Sequence, residues 1–245
     1  MSSWTWPRLE ETIIGCRLCP RLVAYREEVA QKKVRRFQDW EYWGKPLPGF
    51  GDPNARLWIL GLAPAAHGGL RTGRMFTGDA SGDFLFSALH EMGWASQPES
   101  RERGDGLTLT DVYISASARC APPKNKPLPQ ELKNCRPYLH TEEGLLGRAK
   151  AVLCLGRIAF DSYRQLRKER GLSDPNMAFS HGAIQRLEDG IPYLALSYHP
   201  SQQNTQTGRL TREMFLSVLK DIKTILEEEG EDAGEGGKGL ASHQG

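Results

Sequence analysis

Apolar residues fall along this chain in two rhythms. Short runs that are apolar almost throughout recur over 56–62, 110–115, 149–155 and 191–197. Runs this short, rich in Val, Ile and Leu and bounded by Gly, Pro or Asp, predict strands buried on both faces. Between them the apolar spacing lengthens to that of a helix, over 81–92, 129–146, 156–169 and 210–229, with Pro129 suited to a first helical turn. A further helical stretch over 20–37 sets Leu22, Val23, Val29 and Val34 on one face. Arg21, Arg26, Lys32, Lys33, Arg35 and Arg36 lie on the other. This alternation predicts an α/β fold in which helices cover both faces of a parallel sheet. In such sheets ligands lie beyond the carboxyl ends of the strands. The loops after the first, second and fourth strands carry the unusual residues, so one shared site is expected there.

No apolar run is long enough to span a bilayer, and residues 1–7 lack the basic-then-apolar pattern of a signal peptide. A cytosolic protein is expected. Lysine plus arginine (32) nearly balance aspartate plus glutamate (30), so net charge neither demands nor excludes a nucleic acid. The basic face of the 20–37 helix fits phosphate tracking and ordinary solvation equally well. Residues 37–50 are aromatic and Gly/Pro-rich and predict an ordered covering loop. Residues 101–106 predict a mobile surface loop. Residues 230–245 are Gly-rich and acidic and predict a disordered tail, which leaves 1–229 as one domain.

The cysteines change the picture more. Cys16 and Cys19 form a C-x-x-C, and Cys120 and Cys135 bracket a Pro-rich loop and a helical run. In a reducing compartment such a set reads as an all-thiolate metal site, either zinc or iron–sulfur. Cys154, inside an apolar strand, reads as a small core residue.

The loop over 61–69 reads Gly-Leu-Ala-Pro-Ala-Ala-His-Gly-Gly. Small residues let backbone approach a ligand closely, but the pattern matches neither the dinucleotide fingerprint nor the P-loop. Phe-Thr-Gly-Asp follows at 76–79, Arg-Cys-Ala-Pro-Pro-Lys-Asn-Lys-Pro at 119–127, and Ser-Tyr-His-Pro-Ser-Gln-Gln-Asn at 197–204.

In their order, spacing and four cysteines, these motifs resemble the uracil-DNA glycosylase superfamily, and most closely its fifth family. The resemblance covers the chain from about Cys16 to the last helix. It implies a three-layer α/β/α sandwich with a central four-stranded parallel sheet. It also implies a [4Fe-4S] cluster on Cys16, Cys19, Cys120 and Cys135, and hydrolysis of the glycosidic bond of uracil in DNA. By the same resemblance Phe76 stacks on the flipped base, Asn125 reads the uracil edge, and His199 stabilises charge on the departing base. Gly61, Ala63 and Ala65 line the pocket. Pro200, Ser201, Gln202 and Asn204 press into the minor groove, and Arg209, with Arg71 and Arg74, contacts phosphate. Many members of the wider superfamily hold the water with a polar residue where this chain has Ala63. Asp79 is then the nearest candidate for that work, beside a second reading as the N-cap of the next helix. Ala63 and Ala65 leave a wide pocket, so hypoxanthine and xanthine are expected beside uracil. A monomer acting on DNA that contains deaminated bases is the expected form.

Two other classes compete. A non-catalytic nucleic-acid-binding module stabilised by the cysteines draws support from Ala63. A redox protein leaves Asn125, His199 and the Gly/Ala loop without a purpose.

Overall fold

The computed structural model describes residues 4–235 of the chain. Its elements run α1 (Trp6–Ile14), α2 (Pro20–Lys32), β1 (Phe50–Gly51), β2 (Leu57–Gly61), α3 (Gly69–Thr72), α4 (Ala80–Glu91), β3 (Val112–Ala116), α5 (Pro129–Leu145), β4 (Ala151–Leu155), α6 (Arg157–Glu169), β5 (Ile184–Arg186), β6 (Tyr193–Ser197), α7 (Gln202–Gln206) and α8 (Arg212–Glu235). Single 3-10 turns at Arg35–Phe37 and Pro123–Asn125 lie in the connections.

The four predicted strands are β2, β3, β4 and β6. They pair in parallel in the order β3-β2-β4-β6. Among the described residues the sheet has six strands rather than four, because β1 and β5 add short antiparallel edges to β3 and β6. Phe-Gly and Ile-Gln-Arg are too short and too mixed to stand out as apolar runs.

Period-two alternation divides each central strand between two cores. Leu57 and Ile59 pack with Leu85 and Phe86 of α4 and with Phe215 and Leu219 of α8. Trp58 and Leu60 pack on the other face with Leu139 of α5 and Phe160 and Tyr163 of α6. Burial of each large side chain contributes roughly 1.5–3 kcal/mol, which fixes the three-layer arrangement. Cys154 is one of these core residues, and burial pushes its thiol pKa up.

Several local expectations are corrected. Helix α1 was not expected; its contact with α5 rests on Leu9 and Ile13 against Cys135 and Tyr138, too few positions to show a period. The helix expected over 20–37 stops at Lys32, and Lys33 adopts φ 51°, where a helix cannot continue. Leu22 and Val23 are buried, while Val29 and Val34 are only partly so. The basic face is largely spoken for: Arg21 pairs with Glu131, Lys32 with Glu28, and Arg26 turns inward. Arg35 and Arg36 remain exposed. The 101–106 loop is anchored, because Asp105 pairs with Arg74 at 2.6 Å and accepts the Arg101 amide at 2.9 Å. Helix α8 continues to Glu235, past the expected end at 229, and the rest of the expected tail lies outside the described residues. Among the described residues no helix is long and apolar enough to cross a membrane.

From β2 the chain moves to β3 on one side and later to β4 on the other. The carboxyl ends of β2 and β4 therefore form the switch point of the sheet, the usual place for a crevice.

Candidate functional site

A cleft of about 1210 Å³ opens on this side over the segments that follow β2, β3 and β6, and Ala65, Arg71, Asp79, Asn125, Ser201 and Gln202 are among the residues that line it. Thus loops far apart in sequence meet in one place. A smaller cavity of about 320 Å³ beside Trp6, Phe50 and Tyr113 holds, of the predicted residues, Arg74 and no other.

Asp79 does two things at once. Its Oδ1 caps α4, accepting the Ser81 and Gly82 amides at 3.0 Å each. Its Oδ2 takes no hydrogen bond among the described residues and lies over Gly68, where even an added methyl carbon would stand 2.0 Å from it. Burial holds the carboxyl pKa above its ordinary value, and the two amides and the Arg71 charge offset only part of the rise.

Phe76 and His199 stack on each other, with ring centroids 5.8 Å apart and 28° between planes. The Phe76 ring rests on Gly61, where a Cβ would come within 2.8 Å of Cζ. Phe76 holds φ 51°, an uncommon conformation for a bulky residue, and Gly82 packs directly against its carbonyl. Burial lowers the His199 pKa to about 4, so the imidazole is neutral at neutral pH. No protein group bonds its ring nitrogens among the described residues.

Lys124 and Asn125 both adopt φ 54°, and Asn is a residue that enters this region readily. The Asn125 amide bonds the Pro122 carbonyl at 3.1 Å, which leaves its exposed carboxamide free at the cleft. The turn role and the cleft role are therefore met by one residue.

The remaining predicted residues separate. Gln202 is exposed at the cleft edge. Ser201 caps α7, and Asn204 points inward, donating its carboxamide N–H to the His199 carbonyl at 2.8 Å. Pro200 is buried, and Arg209 is exposed with its guanidinium 4.6 Å over the Tyr198 ring. Ala65 lines the cleft; Ala63 is half-buried behind it. Arg71 and Arg74 are not free for phosphate. Arg74 is held by Asp105, Ser100 and Thr77, and Arg71 is buried between Phe37 and Trp40. That aromatic setting, together with Tyr42 bonded to His67 Nδ1 at 3.0 Å, was missed in the sequence. The density of aromatics over 37–50 was its signal.

The four cysteines gather on the other side of the Asn125 loop. Cys19 is the N-cap of α2, Cys135 lies on α5, and Cys120 follows β3. Burial pushes the Cys120 thiol up to about 11 and the Cys135 thiol up to about 12, and the neighbouring cysteines add to both rises. Asn134 donates to Cys19 Sγ at 3.3 Å. Arg26 donates to Cys120 Sγ at 3.2 Å and to the Cys16 carbonyl at 3.3 Å, and among the described residues it has no carboxylate partner and leaves its buried Nε unbonded. A buried cation without a counter-ion fits an anionic thiolate centre. Among the described residues no three His, Cys, Asp or Glu side chains converge on a single-ion site.

A family model described as the uracil DNA glycosylase superfamily matches residues 48–223. The type-5 uracil-DNA glycosylase of Thermus thermophilus is 54% identical over 215 residues, covering 88% of this chain and 95% of that protein. The type-5 enzyme of Mycobacterium tuberculosis is 47% identical over 218 residues, 89% of this chain and 80% of that one. The type-5 enzyme of Pyrobaculum aerophilum is 46% identical over 208 residues, 85% and 88% respectively.

Proposed function

Since the chain belongs to the uracil DNA glycosylase superfamily, it is a DNA-repair glycosylase that removes uracil, and we propose that the residues at the sheet's switch point carry the reaction. The observation that supports this assignment is the meeting of Asp79, Asn125 and Ser201–Gln202 on one cleft beside the Phe76–His199 stack.

A base must leave the helical stack before its glycosidic bond can be reached. Phe76 offers the flipped base an apolar face. The free Asn125 carboxamide can both donate and accept, which suits the O4/N3–H edge of uracil. His199, neutral at neutral pH, donates a ring N–H toward O2, where negative charge develops as the bond breaks. The unbonded Oδ2 of Asp79 accepts from the attacking water or faces the positive sugar. Among the described residues no lysine lines the cleft, so water is the nucleophile and the product is an abasic site. Gln202, with Pro200 and Ser201 behind it, meets the minor groove, and Arg209 meets phosphate. Ala63 and Ala65 add no bulk, so the pocket also admits hypoxanthine and xanthine. The free oxygen of Asp79 also removes the main support for a non-catalytic binder, since a polar group is available despite Ala63.

Cys16, Cys19, Cys120 and Cys135 hold a [4Fe-4S] cluster whose part is structural. It ties α2 and α5 to the loop bearing Asn125, and hydrolysis needs no electron transfer. The glycosylase unit, which runs at least to the end of α8 at Glu235 rather than to 229, acts as a monomer in the cytoplasm.

The test is base release from labelled duplexes carrying one uracil, hypoxanthine, xanthine or normal base, followed by alkali. Strand breaks appear at uracil only after alkali, with slower release of the deaminated purines. Folded, iron-loaded protein that leaves uracil in place would overturn the site assignment.

A further inference from the structure

Arg71 is the most conspicuous buried charge that the reaction has not used. It is 4% exposed, has no carboxylate partner among the described residues, and leaves Nη1 unbonded. Its guanidinium carbon lies 3.9 Å from the Phe37 ring centroid and 4.1 Å from that of Trp40. Aromatic faces on this scale hold a cation in place without neutralising it. Burying an unpaired charge is costly, so a site that keeps one has a use for it.

The hydrogen bonds indicate that use. Nε donates to the His67 carbonyl at 2.8 Å, and Nη2 donates to the Gly78 carbonyl at 3.0 Å. One rigid guanidinium therefore joins the loop after β2 to the turn immediately before Asp79. The fit is close: a Cβ on Gly78 would stand 2.3 Å from Nη2. Gly68, beneath Asp79 Oδ2, has its carbonyl bonded by the Arg71 amide at 3.0 Å. Arg71 thus touches both walls of the carboxylate's seat. A lysine has one charged nitrogen and cannot copy a planar fork.

We infer that Arg71 is a positioning residue for Asp79, bracing the Gly78–Asp79 turn against the His67 loop and setting a fixed positive charge beside the carboxylate. This rests on the assignment of Asp79 as the reacting carboxylate. The other charges around it are Asp83 on the next turn of α4, Glu99 and Arg101 on either side of Ser100, whose carbonyl accepts the Gly78 amide at 3.0 Å, and Arg36, stacked on Phe37. Glu102 faces Arg71 itself, and the half-buried His67 is held neutral by burial and by Arg36 and Arg71. Of these, Arg71 is the cation whose charge acts on Asp79.

The experiment compares Arg71→Gln, Arg71→Lys and Asp79→Asn in the iron-loaded full chain. Uracil excision is followed by single turnover across pH, with thermal unfolding as a check on folding. Arg71→Gln lowers the rate roughly a hundredfold at unchanged KM, the scale of a misplaced reacting group. It also moves the acid limb of the rate profile up by about one pH unit, because an opposite charge no longer favours the ionised carboxylate. Arg71→Lys keeps the limb and loses about tenfold in rate, since the charge stays and the brace goes. A folded Arg71→Gln with an unmoved limb overturns the inference, as does a wild-type rate in Arg71→Lys. That second variant decides the matter alone if the first does not fold. Wild-type activity in Asp79→Asn would remove the role of Asp79 and the inference with it. Inactive Asp79→Asn beside an unmoved Arg71→Gln profile removes the inference only.

Discussion

The Phe76 ring and the His199 imidazole lie nearly face to face, 5.8 Å between centroids and 28° between planes. Carbon atoms in contact stand about 3.5–4.0 Å apart, so a base between two rings needs about 7 Å. The stack is too narrow to admit one. Binding a base on the His199 side of Phe76 therefore requires the two rings to part, and the ring's seat on Gly61 sets where Phe76 returns.

That seat can be tested directly. Gly61→Ala would place a methyl 2.8 Å from Phe76 Cζ and force the ring away. Gly61 also ends β2, where its carbonyl accepts from Ser117 N at 2.9 Å, a bond that alanine keeps. The expected result is a folded protein whose kcat/KM on uracil falls about tenfold to a hundredfold. Steady-state excision with a circular dichroism control measures it; unchanged kinetics would mean that Phe76 does not contact the base.

Asn125→Asp separates the carboxamide from the turn. Aspartate also tolerates positive φ, so the Pro123–Asn125 turn and its 3.1 Å amide bond should survive. The carboxylate can no longer donate to O4 and repels it. A site that loses a required donor discriminates by several orders of magnitude, so uracil excision should fall at least about a thousandfold. Normal unfolding with near-normal excision would place base reading elsewhere.

The central sheet was legible because its strands are buried on both faces and cannot be anything but apolar. The edge strands were not, since Phe-Gly and Ile-Gln-Arg carry no period. The site was legible as motifs: Phe76 and Asp79, Asn125 and His199 stand in the connections that follow β2, β3 and β6, on the side where a parallel sheet places ligands. What sequence could not supply was direction. Asn204 and Ser201 look like groove contacts in the sequence, which does not show that they also fold the His199 loop. Arg71 and Arg74 look like phosphate contacts, yet one lies between aromatics and the other against Asp105. Whether an arginine faces water depends on partners distant in the chain, and no local pattern records them.

Chelation tests the iron–sulfur cluster proposed for the four cysteines. Arg26 reaches Cys120 and the Cys16 carbonyl, and Asn134 reaches Cys19, so the thiols tie α2 and α5 to the segment leading to Asn125. Chelation under reducing conditions should lose iron, visible absorbance and excision together. A tryptic cut after Lys124 should appear in the same samples. Cys120→Ser should show the same set, and Arg26→Gln should retain less iron at equal yield. Iron-free protein that stays active and resistant to trypsin would rule out the structural role.

His199 gives a pH prediction whose sign follows from burial. The imidazole pKa falls from 6.5 to about 4 in the folded protein, while the unfolded chain takes its proton near 6.5. Between those values the unfolded state binds more protons, so stability falls as pH drops from 6.5 to 4 and is level above 6.5. Complete retention of the shift would amount to about 3 kcal/mol, and partial solvent access brings it to about 1–3 kcal/mol. His199→Gln has no ionisation to lose, so its unfolding midpoint should vary less with pH over the same window. Its excision rate should drop roughly a hundredfold, the cost of a displaced donor at a developing anion. The wild-type rate profile should carry no limb near 6.5 that disappears in His199→Gln. If such a limb were found, the working form would be the imidazolium, and His199 would act by charge rather than as a neutral donor.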